Sequence, residues 1–311
     1  MSGSSVFLFL MLLVVSLFVW LVHTRTPNIT VALDGMGNFR FIREAVDGVY
    51  RESIYIGQEK KNVVIFGDGI NNTIITFDKS HSSGVKTQES ATLNVDSSHF
   101  FATDISIINS AGPKGEQAVA LRTAGDYMAC YRCSIEGYQD TLYVHRGKNH
   151  FFYDMALLTL FLVMQQLPNE GQQNVLTAQG REENNIDSAI VIHNCTIIPT
   201  PELASKFDVK TYLGRPWKKF SWTIIMESNL DGFIDREGWM KFDEKSDLST
   251  LYYAEYNNRG EGASTYGRVK WPGYHILNNS KDVEHFTVNE FIDGSEWLSV
   301  LGVPYVGGLI G

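Results

Sequence analysis

Ala91-Thr92-Leu93-Asn94-Val95, followed by Asp104-Ile105-Ser106-Ile107-Ile108 and then Ala118-Val119-Ala120-Leu121, decides the fold. Each run is short, largely apolar and strand-length, and the runs are broken by Gly, Asn, Asp and Ser. That is the pattern of brief strands, and long helical periodicity is absent. The runs also recur. Ala91 to Ala118 is 27 residues, and Asp104 to Arg132, each just ahead of a Ser-Ile strand, is 28. Two or three strands per repeat of this length read as rungs of a β solenoid, each turn stacking on the last over a continuous aliphatic core. A β-sandwich is the competing all-β answer, but its strands would be longer and joined by tight hairpins.

Working outward, the same texture continues in Val63-Val64-Ile65-Phe66, Ile74-Ile75-Thr76-Phe77, Cys133-Ser134-Ile135, Ala189-Ile190-Val191-Ile192 and Thr223-Ile224-Ile225-Met226. At 311 residues, 44% hydrophobic and 20% charged, the chain has the composition of a globular protein with a large core. A net charge of −9 offers no basic face to neutralise phosphates, which argues against nucleic acid. It also disfavours polyanions unless their charges are masked.

Val6 to Val22 is a run of 17 residues whose only polar member is Ser16. It fits a secretory signal peptide or a signal anchor within residues 1–25, ahead of one domain over 26–311. Four N-x-Ser/Thr sequons, at Asn28, Asn71, Asn194 and Asn278, are compatible with a secreted glycoprotein. Gly35-Met36-Gly37 suggests a dinucleotide loop, but Arg40 stands where a third glycine is needed and the following helix-like piece is short, so a strand-to-helix turn is the better reading. Cys130 and Cys133 spell C-x-x-C. Within one strand such residues point to opposite faces, and no second pair exists, so no zinc site is expected.

Several catalytic devices are missing: no G-x-S-x-G, no H-E-x-x-H and no Walker loop. What remains is carboxylate, amide and guanidinium chemistry along an extended groove. Gly137-Tyr138-Gln139-Asp140-Thr141-Leu142-Tyr143 packs a carboxylate beside an amide. If solvated, Asp140 is a turn residue; if half-buried, its pKa rises toward general-acid work. Gln117 lies 22 residues before Gln139, somewhat less than one rung, so the two amides can stand side by side as donors to an oxyanion. Arg215, in Tyr212-Leu213-Gly214-Arg215-Pro216-Trp217, is a fork able to hold a carboxylate. Trp217, and Trp239 after Gly238, offer flat faces of the kind that stack on sugars, with core packing as the alternative for each.

Taken together these residues resemble plant pectinesterases (pectin methylesterases). The resemblance rests on VALDGMGNF, KKNVVIFGDGINNTIIT, SATLNV, NSAGPKGEQAVALR, YRCSIEGYQDTLYVH, NVLTAQGR, KTYLGRPWKKFS, TLYYAEYNNRGEGA, RVKWPGYHIL and FTVNEFIDGSEWL, in family order from Val31 to the C-terminus. It implies a right-handed parallel β-helix with short flanking helices and a cofactor-free, metal-free hydrolysis of galacturonate methyl esters by two aspartates. One attacks the ester carbonyl; the other protonates departing methanol and then serves as base toward water. By resemblance Asp140 is that acid/base and Gln139 and Gln117 are the oxyanion amides, Gln117 also touching substrate. Thr87 is a substrate contact, while Arg215 and Trp217 steady the nucleophile and the sugar.

The resemblance also implies methyl-esterified pectin as partner, a proteinaceous inhibitor as a second one, and a cell-wall location. Two departures stand out. The family's nucleophile segment, G-T-[VI]-D-F-I-F-G, is missing between Phe151-Phe152-Tyr153-Asp154-Met155 and Leu162-Val163-Met164-Gln165-Gln166, and Asp154 aligns with a non-catalytic aspartate. A loop and strand are likewise missing between Val46 and Gly48. These gaps leave a working hydrolase, a catalytically impaired pectin-binding relative and a truncated gene product as the expectations to be separated.

Overall fold

The computed structural model describes residues 49–153, 157–158, 173–205 and 209–311. The apolar leader, the Val31–Phe39 segment, the gap at Val46–Gly48, Asp154 and the stretch through Gln166 lie outside the described residues.

Every strand pairing among the described residues is parallel, which requires crossover connections and yields stacked rungs. In the N-terminal half, three sheets run along the stack. The first contains Val49–Arg51, Ile74–Phe77, Ser106–Asn109, Ser134–Glu136 and Leu157–Leu158. The second holds Ile54–Ile56, Leu93–Val95, Leu121–Thr123 and Leu142–Val144, and the third Val64–Phe66, Phe100–Thr103, Met128–Tyr131 and His150–Tyr153. The C-terminal half continues the pattern with Ile190–His193, Trp222–Met226, Tyr252–Tyr256 and Tyr274–Leu277. The architecture is a parallel β-helix.

The repeat read from sequence is the ladder register. Leu93 pairs with Leu121, Ser106 with Ser134 and Phe100 with Met128, each 28 residues apart. Corners repeat with it: Asp104 and Arg132 both take left-handed backbone, at φ 59° and 49°, immediately before their Ser-Ile strands. Inside the coil, Ile75, Leu93, Val95, Phe100, Ile107, Leu121, Met128 and Ile135 form one aliphatic core.

The left-handed turn at Arg132 corrects the reading of the C-x-x-C pair. The strand ends at Tyr131, the chain bends, and Cys133 returns to the interior, so both thiols are buried in the same core rather than on opposite faces. Among the described residues no group of His, Cys, Asp and Glu is arranged to hold a metal, and no helix is long and apolar enough to cross a membrane.

Candidate active site

Three successive turns precede the strands of the second sheet, and their stacking builds the site. The last is Gly137–Thr141. Asp140 is held there in left-handed backbone, φ 59°, a conformation Asp tolerates better than most side chains. Gln139 pairs with Gln117 of the preceding rung in a parallel bridge, and Ala118 N–H donates to the Gln139 carbonyl at 2.9 Å. Cα partners in a parallel bridge send their side chains the same way, roughly one strand spacing of ~4.8 Å apart. Among the described residues neither carboxamide has a side-chain hydrogen-bond partner, so both are free to donate.

One rung earlier, His81 N–H donates to the Gln117 carbonyl at 2.9 Å. Thr87 is half-buried at the start of a single 3-10 turn, Thr87–Glu89. Ser90 closes that turn through its hydroxyl to the Thr87 carbonyl at 2.7 Å, and accepts from Val119 N–H at 3.1 Å. The residue that pins all of this was not singled out from sequence. Asn109 is 2% exposed, and its Nδ2 lies 2.9 Å from the Lys79 and Val119 carbonyls and 3.3 Å from that of Ser90. One buried amide thus ties together the turns that carry Thr87 and Gln117. The signal was present in Asn109-Ser110-Ala111-Gly112-Pro113, where an Asn opens a Gly-Pro turn.

Asp140 is an exposed residue, yet the protein packed around its carboxyl displaces part of its hydration. Loss of hydration raises its pKa above the usual 3.8, and the nearby Arg215 charge offsets part of the rise. Arg215 arrives from the other half of the coil on the Gly214–Trp217 loop. Its N–H donates to the Thr177 carbonyl at 2.9 Å, its guanidinium lies 4.9 Å from the Phe242 ring centre, and burial lowers its pKa while Asp140 counters that shift. The two charges sense each other without forming a direct ion pair among the described residues. Among the described residues Arg215 Nε is buried without a hydrogen-bond partner, an unspent donor in the wall of the site.

Trp217 is 46% exposed, with the Lys218 ammonium 5.4 Å from its ring centre. Trp239 is 1% exposed, tilted against Tyr253 at 4.5 Å between ring centres, with its Nε1 donating to Glu255 at 3.2 Å. A side chain so enclosed cannot stack on a sugar; Trp239 is a core residue that bridges Gly214 and so holds the base of the Arg215 loop. Beside Asp140, Tyr55, Asn94, Arg122 and Tyr143 stand in register along the outside of the second sheet. Arg122 is fixed there by Asn94 at 2.6 Å and Asp96 at 2.7 Å. Sequence reading did not single out Arg122 or Tyr143.

Fold and cluster define a β-helical protein whose site combines one acid of raised pKa, two aligned carboxamides and a guanidinium. Residues 28–295 match the Pectinesterase family, and the chain belongs to that family. It is 43% identical to Pectinesterase 2 of Citrus sinensis over 92% of this chain and 61% of that protein. It is 42% identical to the probable pectinesterase/pectinesterase inhibitor 20 of Arabidopsis thaliana over 91% of this chain and 56% of that protein. The chain therefore spans little more than half the length of these curated relatives. Among solved structures, it superimposes on pectin methylesterase from carrot with a TM-score of 0.82 at 37% identity, covering 92% of this chain and 99% of that one.

Proposed function

We propose that the chain is a carboxylic ester hydrolase of the pectinesterase type, removing methyl esters from cell-wall homogalacturonan and releasing methanol. The observation that carries this reading is the Gln117–Gln139 pair in register beside the Asp140 carboxyl, whose pKa partial loss of hydration raises. An acid kept protonated to higher pH can give its proton to departing methoxide and later take one from water. Two carboxamides pointing the same way can donate to the oxyanion as the ester carbonyl becomes tetrahedral. Attack on the ester carbonyl by a second carboxylate, one supplied in place of the family's missing segment, forms an acyl-enzyme and expels methanol; water, deprotonated by Asp140, then releases the free galacturonate and restores that carboxylate. The Nε of Arg215, without a partner among the described residues, suits a carboxylate in the attacking position. Esterified pectin has its own carboxylates masked, which reconciles the substrate with a chain of net charge −9.

In this reading residues 26–311 act as one domain in the cell wall, Thr87 and Trp217 contact the sugar chain, and a proteinaceous inhibitor is a second partner. A pectin-binding relative without turnover is the second reading, favoured by the missing nucleophile segment after Tyr153. Methanol release from highly methylated pectin, compared between the protein and Asp140→Asn, separates the two. Release that falls by about 10³-fold or more in Asp140→Asn supports the hydrolase. Folded protein that binds pectin and releases no methanol assigns the binding role instead.

A further inference from the structure

Outside the reacting groups, the residues around Gly180 form a mount aimed at one side chain. The backbone of Gln179–Arg181 is locked on both sides against the turn that follows Arg215: Trp217 N–H donates to the Gln179 carbonyl at 3.1 Å and Phe220 N–H to the Arg181 carbonyl at 3.1 Å. Gln179 is 6% exposed. Its Oε1 accepts from Arg181 N–H at 2.8 Å and Trp222 N–H at 3.2 Å, and its Nε2 reaches the Ser188 hydroxyl at 3.2 Å. Arg181 is 5% exposed, lies 4.1 Å from the Trp222 ring centre, and donates to the carbonyls of Ile186 and Asn184. Between these two anchored residues Gly180 faces the Trp217 indole. A Cβ there would lie 2.7 Å from Cε3, closer than real Cβ atoms come, and 3.1 Å from Cζ3 of that ring, tighter than most such contacts.

The backbone of Gly180 needs no left-handed φ, so glycine is not demanded by conformation. It is demanded by the ring. We propose that Gly180 is a positioning residue for sugar binding: its missing side chain seats the Trp217 indole, and Gln179 and Arg181 hold that seat rigid, so that the half-exposed ring, with Lys218 over it, is pre-set for a galacturonate unit. This rests on Trp217 being a sugar platform. The contrast with Gly214 separates the roles. A Cβ on Gly214 would strike the buried side chains of Thr177 at 2.3 Å and Trp239 at 2.9 Å, a packing conflict, whereas Trp217 is half-exposed and can move aside.

Gly180→Ala therefore tests placement of the ring without unfolding the protein. Binding of a methyl-esterified galacturonate oligomer is measured by calorimetry for the protein, Gly180→Ala, Trp217→Ala and the double variant. The expected result is a five- to tenfold weaker affinity in Gly180→Ala, about the scale of one aromatic contact, at an unchanged melting temperature. In the Trp217→Ala background Gly180→Ala then has no further effect, because the residue acts only through the ring. Unaltered affinity in Gly180→Ala, or losses that simply add in the double variant, overturns the proposal. If Trp217→Ala binds as tightly as the unaltered protein, the sugar-platform reading is itself wrong and the proposal falls with it.

Discussion

Dehydration of the Asp140 carboxyl raises its pKa, and the Arg215 charge only partly opposes that rise. In the unfolded chain the same group titrates at its ordinary value near 3.8. From 3.8 up to the raised value, the folded protein holds a proton that the unfolded chain has lost. Stability from this group is therefore fully present below 3.8 and is lost as pH rises through the folded pKa. At neutral pH the ionised carboxylate is a liability to the fold. Asp140→Asn is expected to melt at or above the temperature of the unaltered protein at pH 7, by about 1–3 °C, with the gap closing as pH falls toward 3.8. Melting curves across pH 3 to 8 check this, and a neutral-pH loss of stability would mean that the Arg215 attraction outweighs dehydration. The amides follow a different logic. If the chain is the proposed hydrolase, Gln117→Leu and Gln139→Leu each remove one donor to a developing oxyanion, so methanol release is expected to drop by roughly 10²–10³-fold, with little change in pectin affinity for Gln139→Leu and a weaker affinity for Gln117→Leu, whose amide also touches substrate in that reading.

At the scale of elements, the strands were legible because one-rung spacing is a sequence property. Asp104 and Arg132 sit at equivalent corners, and the Ser-Ile runs after them pair Ser106 with Ser134. The Gln117–Gln139 pairing was legible for the same reason. What could not be read is which way a loop residue turns. A Trp after Gly is compatible with a sugar platform and with a core plug, and only the carboxylate of Glu255, from a strand in the next rung, decides that Trp239 is the plug. The Cys130–Cys133 contact was hidden by a single left-handed residue, Arg132. Glu255 itself is the hub of that element. It takes Arg268 in a two-toothed pair at 2.8 and 3.0 Å, both side chains 2% exposed, and also accepts from Tyr274 at 2.9 Å. Glu255→Gln leaves a buried guanidinium without its counter-charge and is expected to cost about 3–5 kcal/mol, read as a lower urea midpoint at constant slope. A change below about 1 kcal/mol would place the pair in effective contact with water.

Across the whole molecule, the C-terminal segment explains why strands that should alternate are buried on both faces. In Phe100–Thr103 the inward Phe100 and Ala102 belong to the coil interior, yet the outward Phe101 is buried as well. It joins Ala129 and Phe151, outward residues of the next two rungs, beneath Trp297, Leu298 and Val303. Farther along the coil, Val283 and Phe286 of the same segment cover Ile224, Met226 and Ala254. Its end is tied down too: the N–H groups of Ile310 and Gly311 donate to the Glu227 carboxylate at 2.8 and 3.0 Å. One segment thus seals a flank of both halves, those that supply Asp140 and Arg215 respectively, and their shared site depends on the halves remaining in place. Trp297 is the largest buried piece of the seal, with its Nε1 donating to the Ile292 carbonyl at 2.8 Å. Trp297→Ala is expected to cost about 3–5 kcal/mol, the range for deleting a buried aromatic. If the segment is integral to a cooperative coil, the urea transition shifts to lower midpoint as one step, because the cover and the rungs under it melt together. If the segment is a separable flap, Trp297→Ala gives an early partial transition followed by a second at the original midpoint, with exchange of the Phe101 and Phe151 amides accelerating in the first step alone.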